Sequence, residues 1–228
     1  MQNLMIESTY HEKLPLLKLG VIKAKVHSEA SSEALLAEMN QLFSQIAKSI
    51  KVEDISKLPE ITAGRAAYRA FGKDPTKYRI SAEKLLRRIV KGEGLDPINN
   101  VVDLSNILSL SFRCPVGTFD YDKINGQVAL KAGATGETFF SLGNQALNIE
   151  GFPVFYDEEG PFGSTTSDSA RTAVDLNTKT ILMTIFGFHD GFDFEGAMLL
   201  AERLIVTYAQ GEVILSEVLT GKKQLQID

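Results

Sequence analysis

The chain has 228 residues, 24 Lys plus Arg against 29 Asp plus Glu, a net charge of −5 and 44% hydrophobic residues. That apolar fraction supports a packed core and excludes disordered, collagen-like and low-complexity chains, while the acidic balance argues against a protein that coats nucleic acid over its whole surface. A lone Cys114 beside Pro115 excludes an internal disulfide or a CxxC redox pair, and with no apolar run long enough to span a bilayer the chain reads as cytoplasmic, one domain covering residues 1–228.

Residues 17–26, LKLGVIKAKV, read as a strand, and the apolar spacing of Leu35, Leu36, Met39, Leu42, Phe43 and Ile46 predicts a helix after it. Beyond Pro59, ITAGRAAYRAFG reads as a helix ended by Gly72. Ser81 is the expected cap of a second helix closed by Gly92, and NNVVDLSNILSLSF gives a third that stops at Cys114-Pro115. From Gly117 the period shortens to that of strands. TFDYDKI and QVALKA flank Asn125-Gly126, a dipeptide suited to a tight hairpin, and Gly133 to Gly136 reads as another hairpin turn. TFFSL, PVFYD and TILMTIFGF are further strands. Asp193 is positioned to cap a long amphipathic helix ending at Gly211, before a last strand, EVILSEVL. Helices and strands neither alternate strictly nor segregate, so the expected class is α+β, with helices packed on antiparallel or mixed sheet.

Charge is concentrated. Between Arg65 and Lys91 nine cations face only Asp74 and Glu83, a local +7 that leaves −12 for the rest of the chain. Such a patch on an acidic protein suits local phosphate contact, and equally an ordinary solvated helix face.

Several chemistries lack their motifs. His11, His27 and His189 stand apart with no ligand spacing, so no metal is expected, and the absence of GxxxxGK[ST] and GxGxxG argues against ATP and dinucleotide cofactors. In the third helix Asn99, Asp103, Asn106 and Ser109 align as a polar stripe on an otherwise apolar cylinder, which requires internal hydrogen bonds or a wet cleft. The segment GPFGSTTSDSART gathers hydroxyls, Asp168, Arg171 and Thr172 in one loop, as a ribose or amino-acid site does and as many exposed connections do.

The run from Tyr68 to Leu110 followed by PVGTFDYDKINGQVAL holds DPTKYR, SAEKLLRR, VVDLSN and PVGTFDYDKING in order. It resembles the B3/B4 domain of the phenylalanyl-tRNA synthetase beta subunit, in particular its free-standing members, with the motif-bearing part at about 60–190. The resemblance implies a protein that binds aminoacylated tRNA and hydrolyses a mischarged amino acid from its 3′ end, without metal or cofactor. It places the reaction on Ser105 and Asn106, with Asp103 beside them. As substrate-binding residues it implies Arg79, Glu83, Arg87, Ser109, Asp157, Asp168, Arg171 and Thr172, together with Gly117 and Thr184, which stand where the synthetase carries His and Glu. Those two departures lead us to expect a substrate other than tyrosine. Phosphate contact is expected from Arg65, Arg69, Lys84, Arg88 and Lys91. The alternatives are a non-catalytic RNA-binding module and a binding protein for an amino-acid-like small molecule. The oligomeric state is not readable from the sequence.

Overall fold

A computed structural model describes residues 2–143, 145–221 and 223–228. In chain order the elements are β1 (Asn3–Ile6), α1 (Ser8–Lys13), β2 (Lys18–Lys25), α2 (Glu33–Ser49), α3 (Pro59–Ala70), α4 (Ser81–Val90), α5 (Asn100–Phe112), β3 (Val116–Asp120), β4 (Val128–Ala132), β5 (Thr138–Phe140), β6 (Ala146–Asn148), β7 (Pro153–Asp157), β8 (Gly160–Ser164), β9 (Thr180–Gly187), α6 (Phe194–Tyr208), β10 (Glu212–Thr220) and β11 (Gln224–Gln226). The class is α+β. Among the described residues, no helix is long and apolar enough to cross a membrane.

Four strands form an antiparallel sheet in the order β10-β2-β9-β3, and five form a mixed sheet in the order β11-β1-β4-β7-β8, in which β1 and β4 run parallel. The two sheets pack face to face. Leu19, Val21, Phe119, Leu182 and Phe186 from the first meet Leu4, Ile6, Leu130, Phe155 and Phe162 from the second. On its other face the four-stranded sheet sends Ile22, Met183 and Ile185 against α2, α5 and α6. Both faces of β2 are therefore covered, and for that reason its middle is buried without the alternation of a surface strand. Helices α3 and α4 close a third core over Val154 and Tyr156 of β7.

Helix ends follow local chemistry. Ser32, Asn99 and Asp193 accept hydrogen bonds from the N–H groups of Leu35, Val102 and Gly196, capping α2, α5 and α6. Ser81 does not cap α4. It is the first helical residue, after Ile80 in extended conformation, and its N–H donates to the Thr165 carbonyl. A tertiary partner takes the place of the local cap.

The expected hairpin at Asn125-Gly126 does not form. Gly126 does turn the chain at φ +70, but Asp120 first accepts from the Asp122 N–H and starts a 3-10 turn, so β3 pairs with β9 and β4 pairs with β1 and β7. The turn hands the chain from one sheet to the other. Gly133 to Gly136 likewise leads from β4 into a separate two-stranded β5-β6 ladder. Strands β1 and β8 carry little sequence signal, since β1 holds only four residues and β8 begins Gly160-Pro161.

One buried amide ties the helical layer to the sheet. Asn100 donates to the carbonyls of His27 and Tyr208 at 2.8 and 2.9 Å, and its Oδ1 accepts from the N–H groups of Glu29 and Val101. It thereby joins the start of α5 to the segments leaving β2 and α6. Asn100→Ala removes these bonds and leaves buried carbonyls unpaired, so urea denaturation is expected to show a loss of about 2–3 kcal/mol.

Candidate active site

A cavity of about 790 Å³ opens between α4, α5, β3 and the segment after β8. Its apolar walls include Leu85, Val102, Val116 and Val174, and its polar groups enter from three sides. That combination of a concave apolar space with a few converging polar groups is the usual form of a small-molecule site.

From α5 come Ser105, Asn106 and Ser109. The Ser105 hydroxyl donates to the Val101 carbonyl at 2.7 Å and lies 2.8 Å from the Thr118 hydroxyl. With its single proton committed to Val101, Ser105 accepts from Thr118, and the Thr118 lone pairs are left toward the cavity. Ser105 is thus a support for Thr118, and its proton, held by the Val101 carbonyl, is not free for the role of a nucleophile. Ser109 is committed in the same way to the Cys114 carbonyl at 2.7 Å. The side chain of Asn106, half-buried on the same wall, makes no hydrogen bond to another described residue, so its carboxamide is available to a ligand.

The opposite wall is the turn following β8. Ser164 Oγ accepts from the N–H groups of Thr166 and Ser167 and donates to the Ser167 carbonyl, a local closure that fixes the turn. Tyr68 of α3 reaches it from below, with its hydroxyl 2.8 Å from Thr165 Oγ1 and 2.6 Å from Thr166 Oγ1. Asp168 lines the cavity from this turn. Burial pushes its carboxyl up to about 7, with the Ser164 N–H acting the other way.

Helix α4 brings the cations. Ser81, Lys84, Leu85 and Arg88 face the cavity, and Lys84 Nζ donates to the Thr166 carbonyl at 3.2 Å. Enclosure by the cavity walls lowers the Lys84 pKa, and the charge of Arg79 adds to the effect. The adjacent face of α4 carries Glu83, a fully buried carboxylate. Arg65 of α3 grips it in a fork with bonds of 2.7 and 2.8 Å, Arg87 donates at 2.9 Å, and Arg79 Nε lies 3.6 Å away. Burial opposes ionisation of Glu83, yet the bonds from Arg65 and Arg87 prevail and hold its pKa below the ordinary value.

The structure separates several residues that the sequence grouped. Arg65, Arg79 and Arg87 serve Glu83 and are absent from the cavity wall. Asp103 points away from the cavity, fully buried, accepting from Ser31 Oγ at 2.5 Å and from the Ile98 N–H. The polar stripe on α5 is split because Asp103 turns to the connection from α4 while Asn106 and Ser109 line the cavity. Gly117 and Thr184 also lie off the cavity, paired across β3 and β9 on the face turned to the other sheet. Phe119 fills the space beside them, its Cζ 2.7 Å from where a Gly117 Cβ would stand. The expectation of a pocket altered by those two residues therefore has no geometric basis here.

Asp157 and Arg171 form a clip across the β7-β8 turn, with bonds of 2.8 and 3.0 Å, and Thr172 is buried with its hydroxyl toward the Phe162 carbonyl. None of the three lines the cavity. Arg69 is exposed at the end of α3, and Lys91 is 3.8 Å from Glu93. Sequence reasoning missed Thr118, whereas Thr166 lies in the hydroxyl-rich loop that it singled out. Strand alternation through PVGTFD would have found Thr118, since it opposes Gly117 and Phe119 on the pleat. Burial pushes the Cys114 thiol pKa up, in keeping with a core residue. Among the described residues, no group of His, Cys, Asp and Glu is arranged to hold a metal ion.

A family model described as the B3/4 domain matches residues 63–192. The phenylalanine–tRNA ligase beta subunit of Fusobacterium nucleatum subsp. nucleatum is 29% identical over 105 residues, covering 45% of this chain and 13% of that protein. The corresponding subunit of Symbiobacterium thermophilum is 37% identical over 78 residues, covering 33% of this chain and 9% of that protein. The match thus spans a small fraction of these relatives' own length. Among solved structures, an N-terminal fragment of the phenylalanyl-tRNA synthetase beta-subunit from Pyrococcus horikoshii aligns with 92% of this chain and 49% of that one, with TM-score 0.48 and 16% identity.

Glu83→Gln leaves two arginines facing a neutral amide, and a loss of roughly 3 kcal/mol at pH 7 is expected from urea denaturation. Because the folded pKa of Glu83 is depressed, its contribution is present above the ordinary value of 4.5 and is lost as pH falls below it. The difference between the natural protein and the variant should accordingly narrow below pH 4.5.

Proposed function

This chain belongs to the B3/4 domain family, and we propose on that premise that it hydrolyses the ester linking a mischarged amino acid to the 3′ end of a tRNA. The observation that carries the reading is the meeting, in one cavity, of a free Asn106 carboxamide, the Thr118 hydroxyl and the cations Lys84 and Arg88. Each supplies a distinct part of the reaction. The apolar walls accept the amino-acid side chain, and Lys84 and Arg88 meet the negative charge of the terminal nucleotides. Thr118 accepts a hydrogen bond from the attacking water, and the Asn106 amide donates to the oxygen that becomes anionic as the carbonyl turns tetrahedral. Ser105 positions Thr118.

The local charge of +7 is smaller in effect than its count. Glu83 holds Arg65 and Arg87, with Arg79 beside them, so phosphate contact falls to Lys84 and Arg88 at the cavity, with Arg69 and Lys91 as outlying positive charges.

A panel of aminoacyl-tRNAs incubated with the protein is expected to show accelerated deacylation of at least one mischarged species. Asn106→Ala should slow that reaction roughly 10- to 1,000-fold while tRNA affinity stays within a few fold. The Lys84→Ala, Arg88→Ala double variant should instead weaken tRNA binding and flatten the slope of its salt dependence by about 0.7 for each phosphate that is no longer neutralised. Binding of tRNA with no deacylation of any species would identify a non-catalytic module, and absence of both would refute the reading.

A further inference from the structure

We propose that Asp168 is the general base of this cavity, taking a proton from the attacking water and returning it to the ribose oxygen that leaves. The inference rests on the ester-hydrolysis reading and adds to it the group that moves the proton.

Three neighbouring carboxylates are engaged, and Asp96, the other carboxylate on the cavity wall, is exposed to solvent. Glu83 is held by Arg65 and Arg87, Asp157 by Arg171 and the N–H groups of Asn125, Glu159 and Gly160, and Asp103 by Ser31 and the Ile98 N–H. Each is satisfied and each lies off the cavity wall. Asp168 differs on both counts. It lines the cavity, and its Oδ1 is buried with no hydrogen-bond partner. A buried acceptor left unpaired is uncommon in a folded protein and asks for a functional explanation.

The surrounding chain keeps Asp168 in that state. Its backbone carbonyl accepts from the Leu142 N–H, and next to it the Ser169 N–H donates to the Phe162 carbonyl, so the residue is held from both sides. The Phe119 ring, set between Gly117 and Gly163, and Asp168 Oδ1 both lie close to Gly163. A Cβ on Gly163 would overlap that ring and stand 3.2 Å from Asp168 Oδ1. Two glycines thus admit an aromatic ring near the carboxyl. Burial raises the proton affinity of the group against the opposing Ser164 N–H, in line with its pKa of about 7, where a base is substantially ionised at neutral pH and still basic enough to accept a proton. The other charged groups lining the cavity are Lys84, Arg88 and Asp96, and none of them is bonded to Asp168.

The step balances. Asp168 carboxylate accepts a proton as the water oxygen bonds to the ester carbonyl carbon, and the carbonyl electron pair moves to oxygen, where the Asn106 amide donates. Collapse breaks the bond to the ribose oxygen, which takes the proton from Asp168. The products are the free amino acid, the ribose hydroxyl and the regenerated carboxylate.

Deacylation of the best substrate from the panel is followed from pH 5.5 to 8.5 with the uncatalysed rate subtracted, for the natural protein, Asp168→Asn and Asn106→Ala. Binding of a non-hydrolysable 3′-aminoacylamino-adenosine is measured alongside, with its amine free and acetylated. The natural protein should show a rate that rises with pH through a midpoint near 7 and then levels. Asp168→Asn should lose about 10²- to 10⁴-fold in rate together with the midpoint, keep analogue affinity within a few fold, and melt at a similar temperature. Asn106→Ala should be slower with the midpoint retained. A natural protein without a midpoint near 7 overturns the proposal whatever the variant's folding. An active Asp168→Asn with the midpoint intact overturns it and leaves the hydrolysis reading standing. Loss of affinity for the free-amine analogue alone would make Asp168 an ammonium-binding group and overturn it as well, whereas a natural protein that deacylates nothing overturns both readings.

Discussion

The buried carboxylate of Glu83 is the constraint on which the cavity depends. It is fully enclosed, and a charge in that position is tolerable only when partners replace the water it has lost. Arg65 reaches it from α3, while Arg79, just ahead of α4, and Arg87, within it, reach it from either side along the chain. This fixes the rotation of α4 about its own axis. With Glu83 turned toward α3 and Leu86 and Ile89 in the core, the remaining face, with Ser81, Lys84, Leu85 and Arg88, has to look across the cavity toward α5 and the turn after β8. The N–H of Ser81 bonded to the Thr165 carbonyl and the Lys84 ammonium bonded to the Thr166 carbonyl then hold that turn against α4.

A second constraint comes from the packing of the two sheets. Phe119 lies in the interior between them, in edge-on contact with Phe155 and Phe162, and its ring needs the space left by Gly117 and Gly163. Because strand residues alternate, placing Phe119 on that side puts Val116 and Thr118 on the other, where they become cavity wall. One aromatic residue therefore defines both the apolar layer near Asp168 and the side of β3 that a ligand meets. Interiors are close-packed, so a glycine at such a point reflects the volume of its neighbour more than its own flexibility.

The charge distribution shows the same dependence on packing. Counted along the chain, the segment from Arg65 to Lys91 is strongly cationic, but an arginine gripping a buried carboxylate contributes less to a distant phosphate than one in solvent. Two of the arginines are thereby turned inward as supports, and the cations that reach the cavity are those one helical step away from the Glu83 face.

Much of the architecture is written locally. The periods of α2, α5 and α6, the cap Asp193, the stops at Gly72 and Gly92, and the strands β2, β9 and β10 follow from backbone preferences and from spacing between near neighbours, which act over a few residues. The α+β class, the absence of nucleotide-binding motifs and the family resemblance are legible for that reason. Of the site, the sequence points to Ser105, Asn106, Ser109, Lys84, Arg88 and Asp168, and all six line the cavity. What sequence did not determine is which side of each element faces it. Asp103 and Asn106 sit one helical turn apart and face different surroundings, Gly117 and Thr118 are neighbours on opposite faces of a strand, and the Asn125-Gly126 turn joins two sheets when its residues alone suit a hairpin. Those choices belong to tertiary structure, because the rotation of a helix and the sheet a strand joins are set by contacts between residues far apart in the chain, and a local pattern carries no information about them.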